Sequence, residues 1–265
     1  MVFLTLNKLY HENSFIMKTI LIVFSISCFF LTTQGQKADV MLPSERDREQ
    51  IIHHTGYSLS YNSSYLQPSW VTYKVTKVQI NKDLKIKPKY IADPEVNTRS
   101  ASKKDYKQGG YIMAQFVNYL DVKQIPDAID ETFYMSNITP MKLAFYKYIW
   151  LKTEDLIRLW SAETDDLYIV CGPVLLESPF PAIGDHDVSV PKRFYKAVYD
   201  PKNQKAIGFI FKNGISSGNL NSFAVSIDEI ERQTGIDLFP ALNDEVENKV
   251  EADLNLGQWN FELIE

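Results

Sequence analysis

Histidine is the side chain best suited to act as a general base near neutral pH, and this sequence has four histidines. His53 and His54 precede the first predicted strand, and His186 lies in a Gly-Asp-His-Asp segment. Asp185, His186 and Asp187 together resemble a metal site, but consecutive residues point in different directions and no fourth ligand stands nearby in the sequence. We therefore predict that these three histidines are solvated loop residues.

A carboxylate, a guanidinium and a thiol are the next candidates for chemistry. Glu154 and Arg158 are spaced i and i+4, which places them on one face of a helix as an ion pair. Cys171 lies in the apolar run Leu-Tyr-Ile-Val-Cys-Gly-Pro-Val-Leu, where a cysteine is expected to be a small core residue rather than a nucleophile. By themselves these residues indicate structure rather than catalysis.

The composition is that of an ordinary globular protein. The chain has 265 residues, of which 45% are hydrophobic, 23% charged and 13% aromatic. These values argue against a disordered chain, a collagen-like fibre and a bundle of membrane helices. The net charge of −5 argues against a strongly basic nucleic-acid binder, and seven acids against one lysine in residues 243–265 place the acidity near the C-terminus. Two cysteines are too few for a disulfide framework.

Residues 1–35 are predicted to be a cleavable signal peptide. Lys18 precedes the apolar run from Ile20 to Leu31, which has the length of a signal-peptide core and is short for a membrane span. Thr33 and Gly35 are small enough for the −3 and −1 positions of a cleavage site before Gln36, and Met17 is the better start. We expect a secreted, periplasmic or otherwise extracytoplasmic protein with no transmembrane segment in the mature chain.

Periodicity predicts the elements that would position a site. Alternating apolar residues indicate a half-buried strand from Trp70 to Ile80, and helical spacing of apolar residues covers Lys142 to Trp160. Ser226 and Glu229 form a capping box for a helix that Gly235 ends. Further strands are predicted over Leu167–Cys171, Phe194–Tyr199, Ala206–Phe211 and Phe223–Ser226. Many strands with few helices indicate an α+β fold with a mixed, mainly antiparallel sheet core and packed helices.

Fourteen short motifs, in order along the chain, resemble the DNA/RNA non-specific endonuclease family. The motifs are Tyr57–Thr76, Asp93-Pro94, Asp105-Tyr106, Gly110-Tyr111, Glu131–Pro140, Ile149-Trp150, Glu154, Arg158, Trp160, Gly172-Pro173-Val174, Val190-Pro191, Phe194-Tyr195-Lys196, Thr234–Asp237 and Phe239-Pro240. The resemblance implies a ββα-metal (His-Me finger) nuclease domain over residues 51–252. Residues 36–50 would be a flexible arm and residues 253–265 an acidic C-terminal tail.

The resemblance also implies a catalytic apparatus, and this sequence departs from it at three positions. The family places a D-R-G-H motif after the Gly-Tyr pair, and an Asn and a Glu eight residues apart on the next helix. Here Gln115 stands at the position of the general-base histidine, Met113 at that of the arginine and Tyr146 at that of the metal-ligand asparagine. Asn137 and Glu154 are in their usual places, with Glu154 reaching the metal through water.

Arg158 also keeps its family position, one turn beyond the glutamate. The family depends on Mg²⁺, but a glutamine cannot act as a base and a tyrosine binds a metal only as phenolate, so we predict that Mg²⁺ is not bound and that nuclease activity is weak or absent.

Three hypotheses follow. The first is a pseudo-nuclease kept as a binding module, with DNA or RNA held at low affinity, an unidentified protein or a second copy of the chain as candidate partners. The second is an active metal-dependent endonuclease or phosphodiesterase that cleaves DNA and RNA with a relocated base. The third is a purely structural exported protein. Salt-sensitive nucleic-acid binding would favour the first two over the third.

Overall fold

The structure is a computed structural model that describes residues 41–77, 86–107 and 109–262. The predicted signal peptide lies outside these residues. The strands are β1 Gln50–His53, β2 Tyr57–Asn62, β3 Gln67–Val75, β4 Ile112–Gln115, β5 Ile138–Met141, β6 Leu167–Pro173, β7 Ala182–Ile183, β8 Val188–Ser189, β9 Arg193–Asp200, β10 Lys205–Lys212 and β11 Ala224–Val225. The helices are α1 Pro126–Glu131, α2 Leu143–Phe145, α3 Leu151–Glu163, α4 Ile227–Thr234 and α5 Asp244–Ala252. Within this part of the chain, no helix has the length and apolar character needed to cross a membrane.

The centre of the fold is a seven-stranded antiparallel sheet with the order β1-β2-β3-β6-β9-β10-β11. Two small ribbons, β4 with β5 and β7 with β8, lie outside this sheet. Alternate residues of each strand face opposite sides of the sheet. One face packs with α3 in a core that includes Tyr73, Leu156 and Trp160, and the other packs with α4 and α5 through residues such as Ile230 and Val250.

Strand β3 is more buried than its sequence pattern predicts. The alternation over Trp70 to Ile80 predicts one wet face, but β3 ends at Val75 and only Lys74 is partly exposed. The strand lies inside the sheet between β2 and β6, with helices covering both faces. Thr72 is fully buried, and its hydroxyl is satisfied by donating to the Met41 carbonyl 2.8 Å away. The prediction of a half-buried strand was therefore wrong.

The helix predicted over Lys142 to Trp160 is interrupted by a wide turn. Residues Tyr146–Trp150 form a π-helical turn between α2 and α3. Such turns are rare and often occur at functional sites. This turn carries Tyr146, and α3 carries Glu154 and Arg158 one and two turns further along.

Helix α4 begins and ends at residues that the sequence identifies, and α5 has a similar N-terminal cap. The Ser226 hydroxyl accepts a hydrogen bond from the Glu229 amide, and Gly235 ends α4 with a φ of 67°. Asn243 caps α5 in the same way by accepting from the Val246 amide at 2.9 Å. The predicted helix stop is present, but only the Ser226 half of the predicted capping box forms, because the Glu229 carboxylate bonds Arg232 and Gln233 instead.

Both predicted terminal extensions are attached to the body of the fold. In residues 41–50, the described part of the predicted flexible arm, Ser44 bonds Asp237 and Arg46 donates to the Thr234 carbonyl. In the predicted acidic tail, Trp259 is buried with its ring centroid 4.5 Å from that of Trp160. Tertiary contacts thus order two segments whose polar composition predicts solvation.

Candidate active site

The β4–β5 ribbon positions Met113 and Gln115, which are predicted to stand at the family's catalytic motif. Met113 pairs with Pro140 and Gln115 with Ile138. Because Met113 and Gln115 are two residues apart on a strand, their side chains leave the ribbon on the same face. The ribbon continues beyond the strand through a hydrogen bond from the Phe116 amide to the Asn137 carbonyl.

Gln115 is buried and held by its amide nitrogen. Its Nε2 donates to the Thr132 carbonyl at 2.8 Å and contacts the Thr132 hydroxyl at 3.1 Å. A catalytic histidine needs one ring nitrogen as a donor that fixes its orientation and the other as the proton acceptor. Gln115 supplies the donor, but its amide does not titrate.

Asn137 fixes the end of β4 from a fully buried position. Its Oδ1 accepts from the Val117 amide at 3.0 Å, and its Nδ2 donates to the carbonyls of Val117 and Thr132 at 3.0 and 2.9 Å. The Thr132 carbonyl therefore accepts from both Gln115 and Asn137. This arrangement assigns Asn137 to holding the backbone in place.

Glu154 lies at the centre of a buried charge network, with only 1% of its side chain exposed. Its Oε2 accepts from Asn118 at 3.1 Å and from Arg158 at 3.3 Å, and its Oε1 lies 3.4 Å from Lys196 Nζ. Asp121 in turn binds Arg158 Nε at 2.6 Å. We call Glu154, Arg158, Lys196, Asp121 and Asn118 the Glu154 network.

The electrostatics of this network are set by burial and by balanced charges. Burial raises the pKa of Glu154, while Lys196 and Arg158 act in the opposite direction. Burial alone would lower the pKa of Arg158, but the carboxylates of Asp121 and Glu154 outweigh it and raise that pKa. Lys196 also lies 4.1 Å from the centre of the Trp150 ring. Protein cations thus already neutralise the carboxylate that would orient a metal's water shell.

Sequence reasoning missed three members of the network. From the sequence, Lys196 enters only as part of the Phe194-Tyr195-Lys196 motif, and neither Asp121 nor Asn118 is predicted to take part. A lysine on a strand, in an otherwise apolar stretch that alternates toward the core, is the signal that could have identified Lys196. Its partner could not be read from the pattern, because Glu154 is 42 residues away in sequence.

Tyr146 and Met113 make the surroundings more apolar. Burial and the Glu154 carboxylate both raise the pKa of the Tyr146 phenol, so it stays protonated at neutral pH. Met113 packs against the cluster that contains Tyr106, Met135 and Ile138. A neutral phenol, a thioether and an already paired carboxylate do not fit Mg²⁺, which prefers anionic or carbonyl oxygens and water.

The other candidate residues are held in place elsewhere. His54 is buried and bonds Asp93 at 2.9 Å, which corrects the prediction of a solvated loop histidine; burial requires the ring to have a polar partner. His53 bonds Ser58. His186 is about half exposed and its Nδ1 lies 3.0 Å from both carboxylate oxygens of Asp105.

Cys171 is buried in the core, as its sequence context predicts. Burial raises the pKa of its thiol to about 12. It is therefore a thiol at neutral pH and a poor nucleophile.

Comparison with known proteins identifies the family to which this architecture belongs. A family model described as DNA/RNA non-specific endonuclease matches residues 38–245. The chain belongs to this family, as its sequence motifs predict.

The similar proteins include two curated vertebrate nucleases and one solved structure. The chain is 28% identical over 207 residues to "Nuclease EXOG, mitochondrial" of Danio rerio, covering 71% of this chain and 60% of the relative. It is 29% identical over 210 residues to the protein of the same name from Mus musculus, covering 72% and 57%. The chain thus spans about three-fifths of the length of these curated relatives.

The solved structure is that of the EndoG/EndoGI complex, which the chain matches with a TM-score of 0.68 and 24% identity, over 73% of this chain and 86% of that one. The α+β fold with its antiparallel sheet and ββα finger is thereby confirmed.

Proposed function

We propose that this protein is a catalytically degenerate member of the nuclease family, kept as a binding module for nucleic acid or protein. The observation that carries the proposal is the Gln115 amide, bonded to Thr132 at the family's general-base position. General base catalysis contributes on the order of 10²–10⁴-fold to rate, and an amide contributes none of it.

The metal side of the chemistry is weakened as well. Tyr146 stands as a neutral phenol at the position of the family's asparagine ligand, and the pairing of Glu154 with Lys196 and Arg158 leaves little negative charge for Mg²⁺. A metal ion supplies several kcal/mol of charge stabilisation in such reactions. Loss of the base and of the metal ligand together supports activity that is weak or absent.

A groove next to β4 supports weak nucleic-acid binding. It is lined by Tyr111, Lys192 and Lys212 among others, and Lys142 Nζ lies 3.9 Å from the centre of the Tyr111 ring. Aromatic rings and cations together suit stacking on bases and contact with phosphates. Binding through these lysines is expected to weaken as salt rises, whereas a protein partner would show less dependence.

One observation favours an active enzyme with a relocated base. His186 is half exposed, is oriented by Asp105, and follows Gly184 and Asp185 of a pocket that Tyr111 also lines just before β4. A histidine oriented by a carboxylate is the usual form of a catalytic base. This second candidate predicts that His186→Gln abolishes cleavage.

The test is a plasmid and RNA cleavage assay on the purified protein with Mg²⁺ or Mn²⁺. We expect no cleavage above the background of Glu154→Gln. Restoring the family residues in the triple variant Met113→Arg, Gln115→His and Tyr146→Asn should produce metal-dependent cleavage, and adding Glu154→Gln to that variant should remove it. Metal-dependent cleavage by the unaltered protein that Glu154→Gln removes would contradict the proposal, and the His186→Gln variant would then show whether His186 has become the base.

Export is the second part of the proposal. Residues 1–35 contain two lysines, one glutamate and no arginine around a continuous apolar run, which is typical of a secretory signal and unlike an arginine-rich, amphipathic transit peptide. Sequencing the N-terminus of the protein from its native source should give Gln36, with the protein outside the cytoplasm. Recovery from mitochondria, the compartment in the names of the two vertebrate relatives, would contradict export.

A further inference from the structure

Five carboxylates converge on the face of the sheet opposite the Glu154 network. Asp228 and Glu231 belong to α4, Asp237 follows α4, and Glu247 and Glu251 belong to α5. We call these five residues the acidic cluster. The cluster contains two groups of three carboxylates, and within each group one oxygen per residue lies within 4.8 Å of the others. The first group is Asp228, Glu231 and Glu251, and the second is Asp237, Glu247 and Glu251. Glu251 is common to both groups.

One carboxylate oxygen of Glu251 is buried without a hydrogen-bond partner among the described residues. The residue is only 8% exposed, and its Oε1 is fully buried with no hydrogen-bond partner among the described residues. The carboxylate lies among the other acids of the cluster. A buried carboxylate oxygen is normally paired with a donor, an arginine or lysine, or a metal ion.

In the described part of the chain, no side-chain cation is paired with this cluster. Over residues 41–77, 86–107 and 109–262, no lysine or arginine forms an ion pair with any of the five carboxylates. Arg232, the arginine of α4, is bonded to Glu229 instead. The Leu238 amide donates to Glu231 Oε1 at 2.7 Å, which fixes that side chain and leaves its other oxygen available.

We propose that the acidic cluster is a divalent-cation site, with Glu251 as the central ligand and Ca²⁺ as the ion. Ca²⁺ takes six to eight oxygen ligands in flexible geometry, which suits carboxylates from two helices and a loop. Mg²⁺ demands octahedral geometry and keeps its waters, so it suits this arrangement less well. The bound ion would connect α4 to α5 and stabilise the packing of both helices on the sheet.

The electrostatics support this assignment. Burial, followed by the carboxylates of Glu231, Glu247, Asp237 and Asp228, raises the pKa of Glu251 to about 8. The site lies on the other face of the sheet from Glu154, so it is separate from the position at which the nuclease family holds its metal. It therefore does not depend on whether the protein is a nuclease.

The experiment is calorimetric titration of the EDTA-treated full-length protein with CaCl₂, together with thermal unfolding with and without the ion. We expect saturable binding with a Kd on the order of 10⁻⁴–10⁻³ M, the range of weaker protein Ca²⁺ sites, and a rise in melting temperature with Ca²⁺. Glu251→Gln should weaken binding at least ten-fold. Glu245→Gln, an exposed acid on the same helix, is the matched control and should bind normally.

Folding of the Glu251→Gln variant is checked independently by its circular dichroism and its melting temperature in EDTA, which should equal or exceed that of the unaltered protein. The proposal is overturned if Ca²⁺ causes no heat of binding and no thermal shift at millimolar concentration, or if the shift survives in Glu251→Gln. MgCl₂ that binds as tightly as CaCl₂ would overturn the assignment of Ca²⁺.

Discussion

Glu154 and Glu251 are both buried glutamates, but the protein treats them in opposite ways. Glu154 is surrounded by Lys196, Arg158 and Asn118, whereas Glu251 is surrounded by four further carboxylates. The first carboxylate is neutralised from within the fold. The second has no cation among the described residues, so it requires either a proton or a bound cation. The difference shows that burial alone does not indicate whether an acid is structural or a ligand; the charge of its neighbours does.

Removing the internal cation should have the largest effect. Lys196→Met leaves Glu154 with Arg158 and Asn118 only, and breaking a buried pair in this way costs about 3 kcal/mol or more in the free energy of unfolding. Urea denaturation measures this change in the free energy of unfolding. Adding Glu154→Gln should recover part of the loss, and Lys202→Met, which removes an exposed pair with Asp165, should leave stability unchanged. A Lys196→Met protein as stable as the original would show that Lys196 does not stabilise the buried Glu154 carboxylate.

The pH dependence of stability should report the uncompensated glutamate. The pKa of Glu251 is about 8 in the folded state and near 4.3 when unfolded, so the folded state retains a proton that the unfolded state has lost. In EDTA, stability is therefore greatest below about pH 4.3 on this account and falls as pH rises through about 8. We expect Glu251→Gln to be more stable than the unaltered protein by several kcal/mol at pH 8.5 and by only about 1 kcal/mol at pH 5. Equal dependence of stability on pH in the two proteins would show that the pKa of Glu251 is not raised in the folded state.

A cation introduced into the acidic cluster should neutralise Glu251 as Lys196 neutralises Glu154. Asp237 is an exposed loop acid of the acidic cluster, so Asp237→Lys can place an ammonium near Glu251. We expect about 1 kcal/mol of added stability in EDTA together with loss of Ca²⁺ binding. Asp237→Asn is the control and should weaken binding with a smaller gain. A destabilised Asp237→Lys protein would argue against a shortage of positive charge at Glu251.

The smallest effect is expected at the edge of the Glu154 network. Arg158 also pairs with Asp155 at 2.8 Å, but the Asp155 side chain is 53% exposed. An exposed pair contributes about 0.5 kcal/mol or less, so Asp155→Asn should barely change urea denaturation. Asp121→Asn, which alters the buried partner of Arg158, should cost several times more. Equal effects would show that burial is not what strengthens these pairs.

Local features of the fold could be predicted from the sequence because they depend on neighbouring residues. Ser226 with Glu229 and the glycine at 235 specify α4 by backbone capping alone. The in-order motifs likewise identified the family, whereas the strand that carries Gln115 was not predicted.

Features that depend on tertiary contacts could not be predicted in this way. The burial of β3 on both faces requires knowledge of which helices cover the sheet. The acidity of residues 243–265 was visible, but its convergence with Asp228 and Glu231 of α4 requires α5 to pack beside them. Likewise, nothing in the local pattern at Lys196 indicates that its amine reaches Glu154.

The contact between Trp160 and Trp259 gives the protein a built-in optical signal. Their ring centroids lie 4.5 Å apart, and the Trp160 indole donates to the Asn260 carbonyl at 2.8 Å. Detachment of the C-terminal segment would separate the two rings and expose both indoles to water. Tryptophan fluorescence and near-ultraviolet dichroism therefore report whether this segment opens before the sheet unfolds, without an added dye.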